Sequence, residues 1–201
     1  MTDSTATNNI TENMTIDPLF QQLYPCQLSA KVIASTKQIK LLICDVDGVF
    51  SDGRIYLGNN GEELKAFNTR DGYGIKALQA GGVDVAIITG RNSALVEQRM
   101  KSLTVKHIYM GKENKVAAYQ ELLANLDLTP SQVAFIGDDS PDLAVMQQVG
   151  LSISVPDGHP YVKMQADHIT TLNGGFGAVR EVCDLLLIAQ GQFDRFDGSS
   201  S

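Results

Sequence analysis

Short apolar runs alternate with amphipathic stretches along most of this chain. Runs that suit buried strands fall at residues 40–45, 83–89, 107–110, 133–137 and 151–155, with a weaker one at 168–170. Between them, apolar residues recur at helical spacing near 74–81, 93–103, 115–126, 141–149 and 178–189. Buried strands alternating with amphipathic helices predict an α/β fold, a parallel sheet with helices on both faces. Asp17-Pro18 marks a helix start, so two short leading helices are predicted at 18–24 and 29–35.

One segment breaks the alternation. Residues 53–67, GRIYLGNNGEELKAF, hold two short strand patterns around Gly58-Asn59-Asn60-Gly61. These four residues tolerate the positive φ angles of a tight turn, so a β-hairpin is predicted. Its place between the first strand and the first helix makes it project from the C-terminal edge of the sheet, where α/β proteins bind ligands.

Composition narrows the class. A length of 201 residues suits one domain with appended ends, and 43% hydrophobic with 19% charged residues fits a soluble globular protein. The net charge of −7 argues against a broad nucleic-acid surface, yet leaves room for a local basic pocket. Cys26, Cys44 and Cys183 are odd in number and form no CxxC, which points to free thiols in a reducing compartment. The nucleophile pattern of cysteine phosphatases is absent, because Val32, Phe50 and Ala189 stand where its arginine would be. The polar stretch from Met1 to Met14 lacks an apolar core and reads as a disordered tail rather than a signal. No apolar run reaches the roughly 20 residues of a membrane span. A cytoplasmic protein with neither membrane nor nucleic-acid partners is expected.

The candidate chemistry lies at strand ends. The run LLIC leads straight into Asp45 and Asp47, and VAFI leads into Asp138, Asp139 and Asp142. One such aspartate can simply cap a helix. Two clusters at two parallel strand ends share an edge, so Asp45, Asp47 and Asp138 can converge. Few ligands, all of them oxygen, suit Mg²⁺ better than zinc. Thr89-Gly90-Arg91 ends another strand and Lys115 opens a helix at the same edge, supplying a hydroxyl and cations suited to a phosphoryl group.

Taken together, DVDGVFSDG, ITGR, Lys115 and GDDSPD resemble the four motifs of the haloacid dehalogenase superfamily of phosphohydrolases. Within it, the stretch from Asp45 through the hairpin to IKAL, AIITGR and the C-terminal GGFGAVREVCDLLLIAQG are similar to the phosphatases acting on 3-deoxy-D-manno-octulosonate 8-phosphate. The resemblance spans 39–191, leaving 1–38 as a tail with leading helices and 192–201 as a C-terminal tail.

The resemblance implies a Rossmannoid sheet without a cap domain and a Mg²⁺-dependent phosphatase of lipopolysaccharide inner-core synthesis. It implies Asp45 as nucleophile and Asp47 as general acid and base. Asp45, Asp138 and the Asp47 carbonyl would hold the metal, Thr89 and Lys115 the phosphoryl oxygens, with Asp139 as an orienting group. Substrate contacts are assigned by resemblance to Asp47, Asn68, Thr69, Arg70, Asp71, Gly72, Lys76, Arg91, Arg99, Lys115 and Asp139. Helical spacing alone makes Arg99 a surface residue. A homotetramer packed through residues 54–67 is implied, with apolar Ile55, Tyr56, Leu57 and Phe67 as the contact. Two other readings stay open: a phosphatase of a nine-carbon sugar acid, or a non-catalytic oligomerisation domain. Residues 72–77, GYGIKA, match a dinucleotide fingerprint but follow a hairpin rather than the first strand. His107, His159 and His168 show no ligand spacing and are taken as ordinary surface or core residues.

Overall fold

The structure, a computed structural model, describes residues 18–195. The stretch expected to be a tail, from Met1 to Met14, lies outside them, as do residues 196–201. In chain order the elements begin with α1 (Pro18–Leu23), α2 (Ala30–Thr36), β1 (Leu41–Cys44), β2 (Tyr56–Leu57), β3 (Glu63–Leu64), α3 (Thr69–Ala80), β4 (Asp84–Ile88) and α4 (Ala94–Ser102). They continue with β5 (His107–Tyr109), α5 (Lys115–Leu126), β6 (Val133–Ile136), α6 (Leu143–Met146), β7 (Leu151–Ser154), α7 (Pro160–Gln165), β8 (His168–Ile169) and α8 (Ala178–Ala189).

Six strands form one sheet in the order β5-β4-β1-β6-β7-β8, every pair parallel. β1 lies between β4 and β6, with Leu41 paired to both Asp84 and Val133. The strand pleat divides the core between the two faces. Leu42 and Cys44 pack with Ile75, Val182 and Leu186 of α3 and α8, whereas Leu41 and Ile43 pack with Tyr119, Leu122 and Met146 of α5 and α6. All four β1 residues are buried, as expected for a strand covered on both faces. Phe20 and Val32 reach the α3–α8 side, so α1 and α2 belong to the same core. β2 and β3 pair antiparallel as a separate hairpin, and the described residues include no cap domain.

Three local differences from the sequence pattern have identifiable causes. α3 begins at Thr69 rather than near Gly74, because Asn68 caps it by accepting the Arg70 N–H. Its glycines disguise the start but serve packing: a Cβ on Gly74 would stand 2.9 Å from the Arg180 side chain and 3.1 Å from Cys183, so α8 can approach closely. The helix expected at 141–149 is a 3₁₀ turn, Ser140–Asp142, followed by the four-residue α6. That tight turn points the Asp142 carboxylate back at the N–H groups of Asp138 and Asp139. α7 escaped notice because Val162 is its buried residue, which is too little for a periodic stripe. The glycines of the dinucleotide-like stretch lie inside α3, where they form no phosphate loop.

Candidate active site

Because the sheet is parallel, its C-terminal edge gathers whatever follows each strand. Asp45 follows β1, Thr89 follows β4, Asp138 stands two residues beyond β6, and Lys115 is the first residue of α5. They line a cavity of about 320 Å³ with Asp47, Arg91, Asp139 and Asp142. A larger cavity of about 610 Å³, lined by Tyr24, Arg70, Arg180 and Asp184, shares none of these residues. The chemistry therefore sits in the smaller one.

Lys115 is the charge centre. Its ammonium donates to Asp45 Oδ1 at 2.7 Å and to Asp142 Oδ1 at 2.6 Å. Asp142 Oδ2 in turn accepts the N–H groups of Asp138 and Asp139 at 3.1 and 3.2 Å. Asp142 thus fixes both the lysine and the turn that carries Asp138, a role the sequence reading did not give it. Its signal was in view as the third acid of GDDSPD.

Burial and the Asp142 charge raise Asp45 to about 6, against the pull of Lys115. Asp138 is raised further, to about 8, by burial and by Asp45, Asp142 and Asp139. Burial opposes the Lys115 charge, but Asp45 and Asp142 outweigh it and hold its pKa above the ordinary value. Carboxylate oxygens of Asp45, Asp138 and Asp142 lie within 4.8 Å of one another. Three acids and one ammonium leave an excess of negative charge in a poorly hydrated place.

A divalent cation fits that place. Asp138 Oδ1 is buried with no hydrogen-bond partner among the described residues, and the donors at hand are all oxygen. Asp142 is occupied by Lys115 and two backbone donors, so Asp45 and Asp138 are the carboxylates best placed to bind. Gly48 keeps Asp138 there: its φ is +98° and a Cβ would stand 2.1 Å from Asp138 Oδ2.

The Asp47 carboxylate turns away from the other acids. It pairs with Lys65 of the hairpin and lies 3.9 Å from Arg91 Nε. Arg91 also donates to Glu63 Oε2 at 3.1 Å, so both ends of the β3 region cross the mouth of the cavity. Lys65 was not singled out in the sequence, where a lysine beside a turn looks like solvated charge. Its side chain is only 2% exposed.

The remaining substrate candidates are not gathered into this cavity. Asn68 caps α3 and donates to Gly175 O at 3.4 Å, and Arg70 donates to Phe176 O at 3.1 Å. Asp71 is buried and accepts the Arg180 N–H at 2.8 Å, while Gly72 lies against Arg99. These two work at helix contacts. Thr69 and Lys76 are exposed on α3. Arg99 is half-buried, donates to Asn68 O at 3.4 Å and faces a cleft with Lys65 and Phe67, so it is not the free surface residue its spacing suggested. α3 lies along the sheet face, which draws its side chains toward α8 and the 175–176 loop.

Comparison with known proteins agrees with this geometry. Residues 107–182 match the family described as haloacid dehalogenase-like hydrolase. Over 173 residues the chain is 56% identical to the 3-deoxy-D-manno-octulosonate 8-phosphate phosphatase KdsC of Escherichia coli (strain K12), covering 86% of this chain and 92% of that one. It is similar to the crystal structure of the Yersinia pestis phosphatase of the same name, with TM-score 0.81, 57% identity and coverage of 82% and 89%. The Moraxella catarrhalis phosphatase, solved with magnesium ion, phosphate ion and a KDO molecule, gives TM-score 0.82, 45% identity and coverage of 85% and 98%.

Proposed function

Because the chain belongs to the family of 3-deoxy-D-manno-octulosonate 8-phosphate phosphatases, haloacid dehalogenase-like hydrolases, we propose that it hydrolyses this ester to the free sugar acid and phosphate. The reaction is a step of lipopolysaccharide inner-core synthesis. The observation that carries the reading is the buried Asp45 held by Lys115, with Asp138 beside it and Asp47 two residues on.

Asp45 attacks phosphorus and forms an aspartyl-phosphate as the bond to the sugar oxygen breaks. Asp47, acting as general acid, gives a proton to the departing oxygen. It then takes a proton from water, whose oxygen attacks the same phosphorus, so phosphate leaves and the Asp45 carboxylate is restored. Lys115, fixed by Asp142, and the Thr89 hydroxyl hold phosphoryl oxygens. Mg²⁺ would be held by Asp45, Asp138 and the Asp47 carbonyl. When bound, it supplies positive charge that offsets repulsion between the carboxylate and the phosphate. Arg91, at the mouth beside Asp47 and Glu63, supplies positive charge for the sugar carboxylate.

The described residues contain no helix long and apolar enough to cross a membrane. The three free cysteines favour a cytoplasmic setting. The test is phosphate release from a panel of sugar-acid phosphates with and without Mg²⁺. The eight-carbon ester should give the highest kcat/KM, and release should cease after chelation. A higher value for a nine-carbon ester, or release indifferent to chelation, would overturn the assignment.

A further inference from the structure

Away from the carboxylate cavity, three distant parts of the chain bring Cys26, His168 and Glu181 together. Cys26 lies between α1 and α2, His168 opens β8, and Glu181 sits in the first turn of α8. A sulfur, a ring nitrogen and a carboxylate oxygen from the three all lie within 4.8 Å of one another. His168 is 7% exposed, and its Nε2 is buried with no hydrogen-bond partner among the described residues. A buried polar atom without a partner is unfavourable and asks for a ligand.

The other two groups are prepared for one. Glu181 is 1% exposed and accepts hydrogen bonds from neutral donors: the Thr171 and Leu172 N–H groups and the Thr171 hydroxyl. Three of the four contacts fall on Oε2, so Oε1 keeps a free lone pair while the carboxylate is locked in orientation. Burial and the Glu181 charge push the Cys26 thiol up. A bound cation would reverse that and hold a thiolate. Burial also pulls His168 down to about 4, which keeps the ring neutral at pH 7 and a lone pair available for binding.

We propose that Cys26, His168 and Glu181 form a second metal site, one that takes zinc, with water completing its tetrahedral shell. One sulfur, one nitrogen and one oxygen donor select zinc, whereas the all-oxygen cluster at the sheet edge selects magnesium. The ion would pin the leading segment to β8 and α8. It would also brace the start of the 171–177 connection, whose Gly175 N–H donates to Val49 O in the loop after Asp45 at 2.9 Å.

Cobalt(II) distinguishes the two sites, because only a thiolate ligand gives the sulfur-to-cobalt charge-transfer band in the near ultraviolet. Chelator-stripped full-length protein titrated with Co²⁺ should develop that band, and added zinc should bleach it. Asp45→Asn should retain the band, while Cys26→Ser should lose it and His168→Gln should lose most of it. Zinc should raise the melting temperature of the wild type and leave that of Cys26→Ser unmoved. Absence of the band in wild-type protein, or an equal band in Cys26→Ser, would overturn the proposal. Cys26 is half-buried and serine nearly isosteric, so this variant decides the matter even if His168→Gln fails to fold.

Discussion

Lys115 between Asp45 and Asp142 sets the chemistry at the scale of single residues. Asp45→Asn should fold normally, since it removes one of three crowded acids, yet release no phosphate, because an amide does not attack phosphorus. Asp47→Asn should keep the nucleophile but lose proton transfer, slowing kcat by about 10²–10⁴. Both are read by steady-state phosphate release with far-ultraviolet circular dichroism as the folding control. Lys115→Met should instead destabilise the protein by about 3–5 kcal/mol in urea titration, because it strands two buried carboxylates. Asp71 offers a test in pH. Burial raises it to about 6, with Arg70, Arg99 and Arg180 opposing, and its Oδ2 has no partner among the described residues. A raised carboxyl favours folding in its protonated form, so its contribution is complete below the ordinary 3.8 and lost as pH rises through 6. Asp71→Asn keeps an acceptor for the Arg180 N–H and should gain on the wild type by about 2 kcal/mol between about pH 4.5 and about pH 8. Asp45, Thr89, Lys115 and Asp138 were legible in the sequence because each stands within two residues of a strand end or opens a helix at one edge. Asp142, Lys65 and the Cys26–His168–Glu181 group were not: their partners are set by a 3₁₀ turn, a hairpin fold-back and a crossing of distant segments. Cys26 and His168 are 142 positions apart, and no spacing rule joins them.

At the scale of elements, strands were read best and helix ends worst. Short runs rich in apolar residues and too brief for a helix suit buried strands, and all six sheet strands fall where the pattern puts them. Helices that stand on tertiary contacts rather than periodicity were read short or missed, as with the glycine-rich start of α3 and the six residues of α7. The loop between β1 and the hairpin shows why an element's conformation matters to the site. Gly48 adopts φ +98°, and its missing side chain leaves the space that Asp138 occupies. Gly48→Ala should cost at least about 1–2 kcal/mol from backbone strain alone and displace Asp138 as well. The expected outcome is a lower melting temperature together with a weaker Mg²⁺ requirement curve, its midpoint moved to higher concentration. An unchanged Mg²⁺ midpoint would mean that Gly48 shapes the loop without shaping the metal position.

At the scale of the whole molecule, the described residues show an α/β core whose site lacks a covering domain. Asp45 and Thr89 are 44 positions apart, Thr89 and Lys115 only 26, and these intervals are already filled by the hairpin, α3, β4, α4 and β5. Hydrolysis of a small phosphate ester gains from a covered, partly dry site. The hairpin covers part of its own cavity through Lys65 and the Glu63–Arg91 pair. Its other side is left bare: Ile55 is 52% exposed, Leu57 74% and Leu64 66%. Phe67, expected in that contact, packs instead on the core beside α3, so the apolar patch is built from Ile55, Tyr56, Leu57 and Leu64. A two-stranded ribbon is marginal by itself, and its open edges and apolar side chains invite pairing with another copy. We propose a homotetramer assembled through residues 54–67, in which neighbouring hairpins bury this patch and complete the cover over each site. Replacing Ile55 and Leu57 with Lys should then give smaller species by sedimentation, with KM raised far more than kcat is lowered, since Asp45, Asp47 and Lys115 remain in place. A wild-type protein that sediments as a fully active monomer at assay concentration would show that the hairpin completes the site within one chain.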